Sequence, residues 1–419
     1  MESDETSQVT PAASAEQTSL DGVRICLVFE HSLSHYTRYL REIRALQDAG
    51  AEVQLLTSHP NLDDAPDGIR VTVAPVHVDV AGWISRSPLP LRPLRRIDNK
   101  ARRFTRRVVR RVSPALATRF RDAALRRLVD QVDVFWVSDY LSLPTVLRAT
   151  KNKRARVVYE TVDLVPEYPY RGERHRARLL QGERDLIGLV DGFITACDSY
   201  ADYYREKYSD ILKSPPVVCD NSPDHSVSAI RPSAQPLRIV FFGNLMFDRP
   251  VIELIEAMAL VRSDVTLTFQ GLNHLLDVPA ARIVELGLQD KVVILDPCSP
   301  EDTVEAAHAY DIGMVALRGA DENERRATTS KLLTYLSAGL AVLGSDLPGI
   351  ARVVNAWENG ILVKGLEPQT WADAIDRLAS MPLAEIDAMK QRSLDASEHF
   401  AWEHQRDDFI AVFVRALDG

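Results

Sequence analysis

Cysteine is scarce. Four residues, Cys26, Cys197, Cys219 and Cys298, are scattered over 419 positions with no CxxC pair and no histidine at metal-ligand spacing. This excludes a disulfide framework and a structural zinc site, and no metal is expected. Long apolar runs are missing too: none approaches the roughly 18–20 residues that a membrane-spanning helix requires. Residues 1–20 lack the basic start and apolar stretch of a signal peptide, so a disordered tail and a cytoplasmic location are expected. What is present, 46% hydrophobic and 26% charged residues, is the balance of a soluble globular protein. The length exceeds one ordinary domain and predicts two.

Charge is unevenly spread. The net value is −9, yet residues 86–127 hold fifteen Lys/Arg against Asp98 and Asp122, a local +13 that leaves −22 for the remainder. Within that segment Arg102, Arg103, Arg106, Arg107, Arg110 and Arg111 recur at helical intervals, with Phe104, Val108 and Val112 as a narrow apolar stripe. The spacing predicts a basic amphipathic helix that an anionic membrane surface attracts by about 1 kcal/mol per Lys or Arg. A solvated Arg-rich face is the alternative. Nucleic acid is not expected as a partner, because interleaved aromatics are absent and the chain as a whole is acidic.

Apolar runs at Val23–Phe29, Ala51–Thr57, Val132–Val137, Arg156–Tyr159 and Gly192–Thr195 read as buried parallel strands, and Tyr36–Ala49 as an amphipathic helix stopping at Gly50. Strands alternating with helices predict a doubly wound α/β sheet. The same rhythm returns at Leu237–Phe242, Thr266–Gln270, Val292–Leu295, Ile312–Val315 and Ala341–Leu343, after a Ser/Pro-rich stretch. The expected organisation is a tail (1–20), an N-terminal Rossmann-like domain (21–225), a linker (226–236), a second Rossmann-like domain (237–398) and a closing helix (399–419) that packs back toward the first domain. Ligands of such sheets bind outside the carboxyl ends of the strands, which places the site in the cleft between the domains.

Several blocks carry a family resemblance. They are Trp136 to Pro144, Val157 to Glu167, Phe242-Gly243-Asn244 followed by Arg249, Ser330-Lys331 through Gly339 to Ser345, Glu358 to Val363, and Phe400 to Trp402. In order and spacing they resemble the GT-B glycosyltransferases of family 4. The resemblance spans about residues 23–417 and implies retaining transfer of a hexosyl group from a nucleotide diphosphate sugar to a glycan or lipid-linked acceptor, in envelope polysaccharide or glycoconjugate synthesis, without a cofactor. It assigns Gly243, Asn244, Arg249, Gly271, Ser330, Lys331 and Thr334 to the donor.

The chemistry asks for such residues independently. A metal-free site must neutralise a departing diphosphate with Arg, Lys and oriented backbone amides. Gly243 allows close backbone approach, and the helix beginning near Thr329 directs its positive end at the same anion. On the acceptor side Asp163 is the leading candidate for orienting a sugar hydroxyl, its alternative being a turn cap, with Asp139 and Glu160 behind it. His31 and His35 follow the first strand and read as structural.

Two departures from the family stand out. Related sequences carry two Glu eight positions apart, the second holding ribose; here those positions are Arg326 and Thr334. Glu322 and Glu324 either substitute for the first or belong to a solvated loop. Where relatives place a His before the acceptor-side acid, this chain has Val162. A catalytically silent GT-B subunit is therefore the alternative to an active transferase.

Overall fold

The computed structural model describes residues 19–29, 37–57, 69–73, 122–138, 140–168 and 172–419. Residues 1–18, most of the basic segment 86–127, His31, His35 and Asp139 lie outside the described residues, so the expectations attached to them have no structural counterpart here.

Two parallel sheets organise the chain. The first has the order β3-β2-β1-β4-β5-β6-β7, from β1 (Arg24–Phe29), β2 (Glu52–Thr57), β3 (Arg70–Val73), β4 (Val134–Val137), β5 (Arg156–Thr161), β6 (Gly192–Thr195) and β7 (Val217–Val218). The second has the order β10-β9-β8-β11-β12-β13, from β8 (Leu237–Phe242), β9 (Val265–Gln270), β10 (Val292–Leu295), β11 (Ile312–Val315), β12 (Ala341–Ser345) and β13 (Gly360–Val363). In each, chain order reverses beside the first strand, between β1 and β4 and between β8 and β11. Those two switch points open the crevices where such sheets take ligands.

The same ionic device closes both sheets at their amino ends. Arg24 opens β1, and its Nε and Nη2 donate to Asp133 just before β4, at 3.0 and 2.8 Å, while its backbone N–H donates to the same carboxylate. Arg238 at the start of β8 does the same with Asp311 before β11. The bidentate geometry suits guanidinium and carboxylate, and each pair registers the two strands that flank a switch point.

The closing helix, Trp402–Asp418, lies on the first sheet although it follows the second domain. Phe409 and Phe413 meet the fully buried Trp136 edge-on, with centroids 5.6 and 5.8 Å away. Replacing either Phe with Ala would cost about 3–5 kcal/mol. The chain thus crosses between the domains twice. The first crossing has no regular structure but is pinned: Val227 N–H donates to Ser337 O, Ser233 N–H to Asp387, and the buried Lys390 ammonium to Arg231 O. Composition alone reads this stretch as a free linker; its backbone polar groups are instead tied to the second domain.

Candidate active site

The site is built around the end of β8. Phe242 N–H donates to the Tyr335 hydroxyl at 2.8 Å, and that hydroxyl donates to Met314 O at 3.3 Å, so one side chain from the helix Ser330–Ser337 holds both strands at the switch point. Gly313 makes room for it, since a Cβ there would lie 2.2 Å from Cγ of the Tyr335 ring. The chain then turns at Gly243 with φ +119°, which L side chains rarely adopt. A Cβ on Gly243 would sit 2.2 Å from Lys331 Cε and 2.8 Å from its Nζ. The ammonium of Lys331 therefore rests against bare backbone. One on Gly271 would fall 2.2 Å from the Gly243 carbonyl, so the turns after β8 and β9 also touch.

Lys331 Nζ lies 5.2 Å from the centroid of Phe241 and, among the described residues, has no carboxylate within ion-pair distance. Burial lowers its pKa to about 8, Arg249 adds to the lowering, and Asp248 and Glu324 oppose it. Arg249 donates from Nη1 to Glu324 Oε1 at 2.8 Å. Its loop is braced by Arg318, which donates to the carbonyls of Asp248 (3.1 Å) and Arg249 (3.2 Å) and pairs with Glu253. Glu324 Oε2 accepts from Ala320 N–H at 3.1 Å, which aims the carboxylate at the guanidinium. Of the two acids near the first family position, Glu324 thus faces the site. Glu322 faces away and pairs with Arg325 and Arg326.

Across the cleft stands Asp163, just after β5, where the Thr161 hydroxyl donates to its carbonyl at 2.7 Å and shapes the turn. Burial raises the pKa of its carboxyl; hydrogen bonds from Tyr168 and Asn323 oppose this, Asp321 adds to it and Arg249 opposes it. The charge of Arg249 therefore acts on both Lys331 and Asp163. Arg249 is thus an electrostatic neighbour of two residues singled out from distant stretches of sequence.

The other sequence candidates divide. Asn244 and Ser330 are exposed at the same rim, and Gly271 is buried behind it. The Thr334 hydroxyl donates to Ser330 O at 2.9 Å, one turn back in its own helix, which leaves only its lone pairs for a ligand. Arg326 leaves the donor side altogether: its guanidinium lies over the Tyr203 ring and pairs with Glu206 of the first domain. Glu160 is not an acceptor group. It is fully buried, and its oxygens are taken by Arg38 and by the Trp136 indole N–H at 2.8 Å, so no face is left open. Sequence reasoning missed Asn323, which bridges the domains from inside a charged run that reads as a solvated loop.

Two family models match the chain, "Glycosyl transferase 4-like domain" over residues 36–214 and "Glycosyl transferases group 1" over residues 236–381. Among curated relatives, the D-inositol 3-phosphate glycosyltransferase of Nocardia farcinica is 29% identical over 136 residues, which is 32% of this chain and 28% of that protein. Its counterpart from Stackebrandtia nassauensis is 24% identical over 271 residues, 56% of each. The matches thus span between about a quarter and just over half of these relatives. Among solved structures, sucrose-phosphate synthase of Thermosynechococcus elongatus superposes with a TM-score of 0.65 at 16% identity, covering 94% of this chain and 99% of that one. HepE of Anabaena, solved with UDP and glucose, gives 0.66 at 14% identity with the same coverage. At such identities these likenesses show the fold, GT-B, with two Rossmann-like domains.

Proposed function

This chain belongs to the group 1, family 4-like glycosyltransferases of GT-B fold, and from that premise we propose that it moves a hexosyl group from a nucleotide diphosphate sugar to a glycan or lipid-linked acceptor, with retention, in envelope polysaccharide or glycoconjugate synthesis. The observation that supports this reading is the Lys331 ammonium lying against the bare Gly243 turn after β8, with Arg249, from the loop that follows that turn, as its electrostatic neighbour.

The roles follow from charge. Two phosphates lying along the Gly243 turn receive backbone approach from the glycine and one cation each from Arg249 and Lys331. As the sugar–phosphate bond breaks, negative charge grows on the leaving oxygen, and preorganised donors there are worth about 10²–10³ in rate apiece. The departing phosphate takes the acceptor proton while the new bond forms on the same face, so the protein supplies no nucleophile. Asp163, with its charge already disfavoured by burial, orients a sugar or acceptor hydroxyl. The basic segment 86–127 would seat the first domain on an anionic cytoplasmic leaflet, within reach of a lipid-linked acceptor; flotation with liposomes that lack anionic lipid should abolish recovery.

Isothermal titration with UDP-, GDP- and TDP-sugars tests the donor. A second reading, a silent subunit supporting an active partner, is favoured by Arg326 and Thr334 at the two family Glu positions and by the engagement of Arg249 with Glu324. A folded chain that binds none of the nucleotides establishes that reading instead.

A further inference from the structure

Asn323 is 9% exposed and sits on the short helix Glu322–Arg326 of the second domain, yet its partners lie in the first. Its Oδ1 accepts from Leu164 N–H at 2.7 Å and from the Tyr200 hydroxyl at 2.7 Å. A backbone N–H can only donate, so the oxygen of the amide must face Leu164, and the NH₂ is left to point at Asp163 Oδ1, 3.3 Å away. The neighbouring residue, Glu324, holds Arg249. Two successive side chains therefore touch opposite walls of the cleft.

We propose that Asn323 is a positioning residue, a donor-domain amide that crosses the interface to fix the Asp163 carboxylate for the acceptor. Its place beside Glu324 links acceptor alignment to the loop that takes the diphosphate. This inference rests on the transferase reading for its consequence in catalysis, but the contact itself is testable without turnover. The groups facing Asp163 are Tyr168 and Tyr200 from its own domain and Asn323, Asp321 and Arg249 from the other.

Asn323→Asp separates positioning from simple adhesion. The new carboxylate still accepts from Leu164 and Tyr200, so the interface bonds survive, but it offers Asp163 a like charge in place of a donor. The full-length chain, labelled with ¹³C at aspartate carboxyls and assigned with Asp163→Asn, is titrated by NMR. The Asp163 midpoint should move to higher pH in N323D, and an unchanged midpoint overturns the proposal. With an active donor, kcat at pH 7 should fall about tenfold or more while the donor KM changes less than about twofold. Equal loss through KM alone also overturns it. If N323D does not fold, a double-mutant cycle of N323A and D163A read by denaturant unfolding substitutes: coupling supports the contact, and additivity removes it. A wild-type chain that turns over no donor while the Asp163 midpoint still moves in N323D sinks the transferase reading and leaves the positioning contact standing. Turnover with an unmoved midpoint does the reverse.

Discussion

Replacing Lys331 with Met should make the empty protein more stable and its diphosphate binding worse. Burial and the nearby Arg249 hold the Lys331 pKa at about 8, below the ordinary lysine value of 10.5. The sign follows from linkage. Below pH 8 the group is charged in both folded and unfolded chains, and the folded state carries the whole cost of confining that charge. Between about 8 and 10.5 the unfolded chain keeps a proton that the folded one has released, so stability rises with pH through that window. A depression of this size corresponds to on the order of 3 kcal/mol as an upper bound, part of which K331M would recover at pH 7. A bound diphosphate reverses the balance, because it repays the charge with a charge-assisted hydrogen bond of about 1.5–3 kcal/mol, roughly 10–100-fold in affinity. Nucleotide phosphates are almost fully ionised above pH 7, their second pKa being about 6, and the uracil N3–H stays protonated to about pH 8.5, so weakening of UDP binding from about pH 7 to 8.5 reports the protein. Urea unfolding and calorimetric titration of UDP, in buffers of different ionisation heat, measure both effects. Wild type should take up protons on binding UDP above pH 8, and K331M should not. A K331M variant that unfolds at lower urea than wild type at pH 7, or wild-type UDP affinity that is flat to about pH 8.5, would refute the reasoning.

Three further outcomes are expected. Gly243→Ala forces a side chain into φ +119° and pushes on the Lys331 ammonium; it should cost about 1–3 kcal/mol in chemical unfolding and abolish UDP binding by titration. Thr334→Ala should leave UDP affinity within about twofold, because that hydroxyl is already committed to Ser330 O; a larger loss would restore Thr334 as a ligand. Asp220 sits at the first crossing between the domains, where burial, with Asp198 adding to it, raises its carboxyl to about 7 while Gln405 donates to it at 3.2 Å. Here the folded chain holds a proton between about 4 and 7 that the unfolded chain has lost, so stability falls as pH rises through that window. Asp220→Asn keeps the acceptor for Gln405 and should raise the melting temperature at pH 8 more than at pH 5; an equal change at both would disprove the assignment.

Much of the fold was legible because buried parallel strands are apolar on both faces and announce themselves locally. Gly192–Thr195, Leu237–Phe242 and Ile312–Val315 coincide with their expected bounds, as does the edge strand Val292–Leu295, which is apolar although Val293 and Leu295 are exposed. The other edge elements were less legible. Arg70–Val73 and the two-residue Val217–Val218 are strands only because a neighbour supplies their hydrogen bonds. The second-sheet edge Gly360–Val363 is recognised from a family block rather than from periodicity.

For the site, the family resemblance singled out Gly243, Arg249, Lys331 and Asp163, because its blocks are short stretches that keep their order along the chain, and the chemistry of a departing diphosphate gave an independent reason for a glycine and two cations. What no stretch contains is a partner. Tertiary structure alone decided that Glu324 rather than Glu322 turns to Arg249, that Arg326 abandons the donor for Tyr203 and Glu206, that Glu160 is spent on Arg38 and Trp136, and that Asn323 reaches Asp163. Each of those choices is made between residues on separate elements of the chain, brought together by strand pairing or by the angle at which a helix meets the opposite domain. The energy that settles them exists only once those elements have packed.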